Sequence, residues 1–212
     1  MNKPAIILLS GGLDSTTCAA IAKKDGYDLH GLTINYGQKH NYELKAAKLV
    51  AQNFKFNSHA IININLASFG GSSLVSEEIA VPKNRNLEDE KEIPSTYVPA
   101  RNTIFLSMAL AWSEVIGAKD IFIGVNAVDY SGYPDCRPEF ISSFEHLANI
   151  ATKMSMESDE SIRIHTPLID LGKSEIIQIG TKLGVNYSLT ISCYQPDTEG
   201  KSCGKCDSCR IR

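Results

Sequence analysis

Short apolar runs alternate with longer amphipathic stretches along most of the chain. Residues 5–9 are all apolar, as in a buried strand, and the alanine-rich stretch 15–24 that follows predicts a helix. The order then repeats, because residues 27–37 alternate with β-branched side chains and residues 41–54 carry apolar side chains at helical spacing. Strands that alternate with helices predict a parallel sheet with helices on both of its faces.

The same pattern continues in the C-terminal half, with one interruption. Residues 70–92 contain the sequence GGSS and the charged run KNRNLEDEKE, which predict either a mobile loop that acts as a lid or a solvated linker. We expect residues 1–190 to form one Rossmann-like α/β domain. Further strands are predicted at residues 58–66, 119–125 and 162–168, and further helices at residues 101–118, 138–155 and 172–184.

The first predicted strand leads into the sequence SGGLDSTT, which begins at Ser10. Gly11 and Gly12 allow backbone N–H groups to converge without interference from side chains. The N-terminus of the next helix adds partial positive charge, and the hydroxyl groups can donate hydrogen bonds to an anion. The stretch matches neither a Walker A loop nor G-x-G-x-x-G. It predicts a phosphate-binding loop, and the alternative is a tight turn followed by a capped helix.

The spelling S-G-G-x-D-S resembles the pyrophosphate loop of the ATP pyrophosphatase superfamily. Members of that superfamily include synthetases that adenylate a carbonyl or carboxyl oxygen. The resemblance implies ATP as a ligand and Asp14 as a carboxylate associated with magnesium. The ATP-binding residues that it implies are Leu8, Leu9, Ser10, Gly11, Gly12, Leu13, Asp14, Ser15, Thr16, Thr17 and Cys18. Cys18 lies among alanines and is typical of a small core residue rather than a nucleophile.

Four of the six cysteines lie near the C-terminus, at a spacing of C-x9-C-x2-C-x2-C. Cys193, Cys203, Cys206 and Cys209 predict a closed tetrahedral site of four thiolates, which suits one structural zinc ion. An iron–sulfur cluster is the alternative, since C-x2-C-x2-C resembles part of a ferredoxin sequence. Zinc binding at such a site is worth on the order of 10 kcal/mol, so residues 191–212 are expected to form a small zinc-binding segment packed on the main domain.

Residues 124–140 follow the fourth predicted strand directly. Ligands of open parallel sheets bind beyond the carboxyl ends of strands, and this stretch is rich in polar and aromatic side chains. Carboxylates there can accept hydrogen bonds from an amino-pyrimidinone edge, tyrosines can stack on a flat ring, and an arginine can pair with a carboxylate. The alternative is a turn-rich loop closed by its own salt bridges. The candidate substrate-binding residues are Asp129, Tyr130, Tyr133, Asp135 and Arg137.

With these motifs taken together, the chain resembles the 7-cyano-7-deazaguanine synthases of the queuosine pathway. The matching stretches are SGGLDSTT, YGQKHNYEL, TYVPARNTIFL, DYSGYPDCRPEF, TPLIDLGKSEII and the SCY and CGKCDSC that carry the cysteines. The resemblance implies an adenine nucleotide alpha hydrolase-like fold and an ATP-dependent ligase. Its implied substrates are 7-carboxy-7-deazaguanine and ammonia, its implied product is the nitrile, and adenylated carboxylate and amide intermediates are expected.

The resemblance also assigns roles to residues outside the loop. Arg101 and Lys173 join Asp14 as expected catalytic residues, and His40 is expected at the substrate or ammonia site. Lys173 begins a predicted helix, where a lysine opposes the helix dipole, so a nearby anion would explain it. Ordinary helix capping and a surface lysine are the alternatives. Two departures stand out: Ala100 replaces a glycine that is frequent in the family, and the chain ends three residues after Cys209.

Charge and hydropathy limit the other partners. The net charge of −3 does not favour a broad polyanion-binding surface, so no nucleic-acid ligand is expected. No apolar run approaches the ~20 residues that span a bilayer, and no secretory leader is evident, so a cytoplasmic protein without membrane association is expected. The family implies a homodimer. Competing hypotheses are a tRNA-thiolating or amide-forming synthetase and a non-enzymatic module that keeps only the fold.

Overall fold

The computed structural model describes residues 2–85, 93–126, 133–157 and 160–212. Its strands are β1 Lys3–Leu8, β2 Tyr27–Asn35, β3 Ser58–Asn63, β4 Asp120–Phe122 and β5 Arg163–His165. They form a parallel sheet in the order β3-β2-β1-β4-β5. This arrangement confirms the predicted α/β class.

The helices follow the strands as the pattern predicts. They are α1 Leu13–Lys24, α2 Tyr42–Phe54, α3 Arg101–Ile116, α4 Pro138–Ala151, α5 Lys153–Met156, α6 Lys173–Lys182 and α7 Asp207–Ile211. The single helix expected at residues 138–155 is interrupted, because Thr152 has extended backbone angles of φ −117° and ψ 145° and separates α4 from α5. No helix in the described part of the chain is both long and apolar enough to span a bilayer.

The central strand β1 is covered on both faces, which explains its unbroken apolar sequence. Successive side chains of a strand point to opposite faces of the sheet. Accordingly, Ile6 and Leu8 pack in the core cluster that includes residues of α3 and α4, whereas Ala5 and Ile7 pack with residues of α1 and α6. The sheet is therefore the middle layer of three.

The order of the strands reverses at β1, which pairs with β2 on one side and with β4 on the other. At such a switch point the chain leaves neighbouring strands in opposite directions, and a cleft opens beyond their carboxyl ends. The glycine-rich sequence after β1 and the residues after β4 both leave the sheet at this cleft. The topology thus brings the two predicted ligand-binding stretches to one edge.

Residues 70–85 are the described part of the predicted lid or linker. Leu74, Val75 and Val81 of this segment are buried in the main core, and Ser72 and Ser73 have no exposed surface. A solvated linker therefore does not describe residues 72–75 and 81, whereas residues 71, 77, 78, 80, 83 and 84 of the same segment are exposed. Residues 86–92 of the predicted loop lie outside the described residues.

Ala100 adopts the left-handed backbone conformation immediately before α3, with φ 55° and ψ 20°. Alanine would be only a small change from glycine at a negative φ, and Ala100 does not meet that condition. Left-handed backbone is unfavourable for residues with a Cβ by about 1–2 kcal/mol. Two hydrogen bonds stabilise this conformation. The Ala100 N–H donates to the Tyr97 hydroxyl at 3.1 Å, and the Ala100 carbonyl accepts the Ile104 N–H at 3.1 Å.

Replacing Ala100 by glycine is expected to stabilise the protein. Relief of the strain exceeds the added entropy of the unfolded chain, for a net gain of up to about 1 kcal/mol and a rise in Tm of about 2–4 °C. Thermal unfolding monitored by circular dichroism measures the shift. Ala111→Gly is the matched control, since the exposed Ala111 lies inside α3 and glycine there should cost about 1 kcal/mol. A lower Tm for Ala100→Gly would contradict the strain.

Candidate active site

A cavity of about 220 Å³ opens at the switch point of the sheet. Residues from the ends of β1, β2 and β4 meet there with residues from α1, α2, α3 and the C-terminal segment. Of the predicted ATP-binding set, the cavity is lined by Leu8, Leu9, Ser10, Gly12, Leu13, Asp14 and Ser15. The structure therefore brings most of the predicted phosphate loop to one cavity.

Gly11 keeps the loop in close contact with α2. Its φ is 82°, and a Cβ built on it would lie 2.5 Å from both the Glu43 carbonyl oxygen and the Ala47 nitrogen. Only glycine fits that position, because it tolerates the left-handed backbone and has no Cβ to clash. The loop after β1 therefore packs directly against the first turn of α2.

Two serines shape the cavity side of the loop. The hydroxyl groups of Ser10 and Ser15 lie 3.0 Å apart, and the Gly12 N–H donates to Ser10 Oγ at 3.2 Å. No side chain caps α1 at Gly12, so the first N–H groups of the helix have no side-chain acceptor there. Hydroxyl and amide donors at one helix N-terminus form an arrangement that suits a phosphate group.

Other members of the predicted set support the loop without lining the cavity. Thr16 Oγ1 donates to the Gly12 carbonyl at 2.7 Å, and Thr17 Oγ1 donates to the Leu13 carbonyl at 2.9 Å. The Thr17 hydroxyl also lies 2.7 Å from the Tyr187 hydroxyl, which ties α1 to the chain after α6. These threonines hold the first turn of α1 in position.

Gly124, which sequence reasoning passed over, sets the width of the cleft. A Cβ on Gly124 would lie 3.0 Å from both the Asp14 carbonyl carbon and the Ser15 nitrogen. The chain after β4 therefore packs directly on the first turn of α1. The signal for this contact is a glycine immediately behind a buried strand, which is typical of a close backbone approach.

Asp14 and Lys173 meet across the loop, although 159 positions separate them in sequence. The Lys173 ammonium group lies 2.8 Å and 3.0 Å from the two carboxylate oxygens of Asp14. Lys173 is only 9% exposed and Asp14 is 28% exposed, so the pair is partly shielded from water. Asp14 is the anion that accounts for a lysine at the N-terminus of α6. Asp14 is thus a largely buried carboxylate and not a fully solvent-facing one.

A second set of charged residues also lines the cavity. Arg101 begins α3 and lines the cavity together with Tyr36 and Glu43. Burial raises the pKa of Glu43 to about 7, although the neighbouring Arg101 guanidinium opposes that rise. Burial, with the Glu43 charge second, raises the pKa of Tyr36 to about 12, so Tyr36 is neutral at physiological pH. Glu43 has no assigned role from the sequence.

The three described residues of the predicted substrate-binding set lie in three different environments. Tyr133 lines the cavity, and its hydroxyl lies 2.7 Å from that of Thr96. Asp135 is buried, and its carboxylate accepts the Asn102 N–H at 3.0 Å, which caps α3. Arg137 is exposed and does not line the cavity. Asp129 and Tyr130 lie outside the described residues.

His40 does not line the cavity and lies beside the backbone of Cys193. Burial lowers the pKa of His40, and a hydrogen bond with the Cys193 backbone opposes that shift. Its Nδ1 atom is buried and has no hydrogen-bond partner among the described residues. The structure thus places this histidine against the cysteine-rich segment.

Two thiols outside the C-terminal cluster are neutral at physiological pH. Burial raises the pKa of Cys18 far above its ordinary value, and Asp14 adds to that rise. Burial likewise raises the pKa of Cys136 to about 12, although Cys136 lines the cavity. Because the thiolate is the nucleophilic form, neither cysteine is poised for attack.

The four C-terminal cysteines converge on one point, with all four sulfur atoms within 4.8 Å of one another. A metal ion bound tetrahedrally with bonds of 2.3 Å would separate its sulfur ligands by about 3.8 Å, and the Cys203 and Cys209 sulfurs lie 3.9 Å apart. The N–H groups of Lys205 and Cys206 both donate to Cys203 Sγ at 3.4 Å. Burial raises the pKa of Cys203, but these donors together with hydrogen bonds from the Cys193 and Cys206 thiols outweigh it and lower the pKa to about 6. The group can hold one metal ion.

This cysteine-rich segment forms one wall of the cavity. Ile191, Ser192 and Tyr194, which flank Cys193, line the cavity together with Ser208. The Ile191 N–H donates to the Gly11 carbonyl at 3.1 Å, so the segment is joined to the phosphate loop itself. A metal ion at the four sulfurs would therefore fix the position of the cavity wall.

The segment at residues 70–85 is anchored to the same wall. Arg85 Nε donates to the Asp207 carboxylate at 3.0 Å, and the Asn84 N–H donates to the Lys205 carbonyl at 2.8 Å. Arg210 also donates to the Arg85 carbonyl. The end of the long loop thus rests on the residues that surround the cysteine cluster.

Comparison with solved structures agrees with this fold. An NMN synthetase from Francisella tularensis aligns with a TM-score of 0.52 at 18% identity, over 97% of this chain and 71% of that chain. A predicted subunit of tRNA methyltransferase from Methanocaldococcus jannaschii aligns with a TM-score of 0.53 at 21% identity, over 84% of this chain and 75% of that chain. At such identities the likeness establishes the fold alone.

Comparison of sequences is more specific. A 7-cyano-7-deazaguanine synthase from Methylococcus capsulatus is 58% identical over 210 residues, which cover 99% of this chain and 92% of the relative. One from Desulfatibacillum aliphaticivorans is 60% identical over 212 residues, which cover 100% of this chain and 91% of the relative. The model of the family described as queuosine biosynthesis protein QueC matches residues 4–212. The chain therefore belongs to the QueC family of queuosine biosynthesis proteins.

Proposed function

We propose that the protein converts 7-carboxy-7-deazaguanine and ammonia into 7-cyano-7-deazaguanine at the expense of ATP. The observation that carries the proposal is the shared cavity, which the phosphate loop, Arg101, Tyr133 and the cysteine-rich wall all line. A nucleotide and a flat ring can meet in such a cavity. The name carried by relatives that are 58% and 60% identical supplies the substrate class.

The chemistry explains why a phosphate loop is needed. A carboxylate is a poor electrophile for ammonia, whereas an acyl adenylate has a good leaving group. Attack by ammonia on the adenylate gives an amide, and ATP must then activate the amide oxygen before it can leave and the nitrile can form. Donors placed where negative charge develops lower the barrier to such transfers, and Ser10, Ser15 and the N-terminus of α1 are suited to that task.

In this proposal three charged residues act on the phosphates. Asp14 associates with magnesium bound to ATP, because carboxylates are favoured ligands of that hard cation. Lys173, which is paired with Asp14, and Arg101, which lines the cavity, neutralise the phosphate charge. The remaining loop residues hold the loop backbone in position to bind the phosphates.

The purine-like ring is proposed to lie against Tyr133, which lines the cavity and belongs to the predicted substrate set. Asp135 is proposed to act through its cap on α3, where it orients Arg101 and Asn102. Asp129, Tyr130, Arg137 and His40 stay predictions for substrate contacts. Arg137 needs a different local arrangement to reach the cavity, since its side chain is exposed.

We further propose that the four-cysteine site holds one structural zinc ion. An iron–sulfur cluster would distribute its thiolates over several iron atoms, whereas these sulfurs converge on one point. Zinc in a closed site of this kind stabilises the fold and offers no open coordination position for a substrate.

The expectation of a cytoplasmic homodimer also remains a proposal. Exposed apolar side chains on α3 and α4, such as Val115 and Ile150, favour self-association.

The direct test is product formation. We expect the protein, incubated with magnesium, ATP, ammonium and 7-carboxy-7-deazaguanine, to form the nitrile, detected by its mass. Omitting ATP should stop all conversion, and omitting ammonium should stop nitrile formation. Accumulation of the amide alone would favour the amide-forming synthetase, and sulfur transfer to tRNA would favour the thiolating enzyme. Absence of any ATP-dependent product would overturn the proposal.

A further inference from the structure

Glu43 is a cavity-lining acid to which the sequence assigns no task. It is the second residue of α2, and its own carbonyl oxygen lies where a Cβ on Gly11 would clash. The phosphate loop and the Glu43 backbone are therefore in direct contact, and its side chain lines the same cavity as Ser10 and Asp14. A carboxylic acid therefore lines the cavity in which the proposed adenylate would form.

The carboxyl group of Glu43 is not committed to the fold. Among the described residues no group donates a hydrogen bond to it, and its electrostatic partner is Arg101. Asp135, by contrast, is a buried carboxylate that accepts a hydrogen bond from the Asn102 N–H. A partly buried acid that faces a cavity without hydrogen bonds is available to exchange a proton with a ligand.

The charge environment suits such an exchange. Burial raises the pKa of Glu43 to about 7, with Arg101 from α3 pulling it down and Tyr36 beyond β2 neutral. Both protonation states are therefore populated at physiological pH, which is the condition for an efficient general acid or base. Phosphate bound at the neighbouring loop adds negative charge and would move this pKa upward.

We propose that Glu43 is the general base that removes protons from the substrate nitrogen, an inference that rests on the proposed function. Attack by ammonia forms the C–N bond and leaves a positively charged –NH₃ group on the tetrahedral adduct. The Glu43 carboxylate accepts one proton, and AMP then leaves in preference to ammonia, giving the amide. Once ATP has activated the amide oxygen, the N–H protons leave through the same carboxylate as the C–O bond breaks and the nitrile forms. Glu43 passes each proton to solvent.

The test compares Glu43→Gln with the unaltered protein. Glutamine keeps the size of the side chain but cannot accept a proton, so kcat for nitrile formation should fall roughly 100-fold to 10,000-fold. In the unaltered protein kcat should rise with pH through an ionisation at or above about 7, and Glu43→Gln should lose that step. Each pH is compared at one concentration of free ammonia, so that ammonia's own titration does not contribute.

A second readout separates base catalysis from a structural role. Exchange of pyrophosphate into ATP, driven by 7-carboxy-7-deazaguanine without ammonia, requires adenylation alone and should stay near normal in Glu43→Gln. Glu139→Gln is the matched control, because Glu139 is also the second residue of its helix, α4, but is exposed and outside the cavity. It should keep normal kcat.

The outcomes distinguish the two proposals. If the unaltered protein makes no nitrile, the proposed function fails. If it makes nitrile and Glu43→Gln keeps both the normal kcat and the pH profile, Glu43 is not the base. Equal loss of pyrophosphate exchange and of nitrile formation in Glu43→Gln would also overturn the inference, because the residue would then serve adenylation or the fold.

Discussion

Asp14→Asn is expected to lower turnover by at least about 100-fold, because it removes the carboxylate that holds magnesium on the phosphates of ATP in the proposed mechanism. Pyrophosphate exchange should fall with it, since adenylation itself is affected. The measurement is kcat at saturating magnesium. Near-normal kcat under those conditions would contradict the role of Asp14.

The free energy of unfolding should also fall in Asp14→Asn, and by more than the sequence alone predicts. Asp14→Asn takes a carboxylate from an ammonium group that is 9% exposed, at 2.8 Å. Breaking a fully buried ion pair costs about 3–5 kcal/mol, and the 28% exposure of Asp14 reduces the expected loss to about 1–3 kcal/mol. Denaturant unfolding measures it. Asp25→Asn, at the other end of α1, is the matched control and should leave both turnover and folding nearly unchanged.

Lys173→Met tests whether the two residues act as a unit. Methionine fills a similar volume without charge, so the variant should lose turnover to a similar extent. If the pair acts together, the double variant should be no slower than either single variant, because the second change removes an interaction that is already lost. Strictly multiplicative losses would show that Asp14 and Lys173 act independently.

Cys206→Ser is expected to have the largest effect on folding. The purified protein should contain one zinc ion per chain, and the variant should contain little, since a serine hydroxyl is a far weaker ligand than a thiolate. Cys206 has no exposed surface, so the serine hydroxyl would be buried in the core. Loss of a site worth on the order of 10 kcal/mol should leave the C-terminal segment sensitive to protease.

The same variant should lose affinity for both ATP and 7-carboxy-7-deazaguanine. Tyr194 and Ser208 line the cavity, and Ile191 is bonded to the Gly11 carbonyl, so disorder of the segment disturbs the ring pocket and the phosphate loop together. Calorimetric titration with ATP and with 7-carboxy-7-deazaguanine measures each loss. Cys18→Ala is the matched control, because this buried thiol lies outside the cluster and its loss should leave zinc content unchanged. Stoichiometric iron and sulfide in the purified protein would contradict the zinc assignment.

The local elements were predictable from the sequence because their physical causes are local. An unbroken apolar strand before glycines predicts β1 and the loop, since a strand covered on both faces has no polar side. The close spacing of Cys203, Cys206 and Cys209 predicts that their sulfurs converge, as they do within 4.8 Å together with Cys193. Family membership depends on similarly short stretches of sequence.

The long-range contacts were decided by the tertiary structure alone. Hydrophobic periodicity indicates which face of an element is buried but gives no distance between elements. The sequence predicted an anion near Lys173, and only the tertiary structure identified Asp14 as that anion. The left-handed Ala100 was equally hidden, because alanine ordinarily favours negative φ and the helix cap around it is held by Tyr97. Glu43 became a candidate only when folding buried it beside Arg101, because desolvation depends on neighbours from distant parts of the chain.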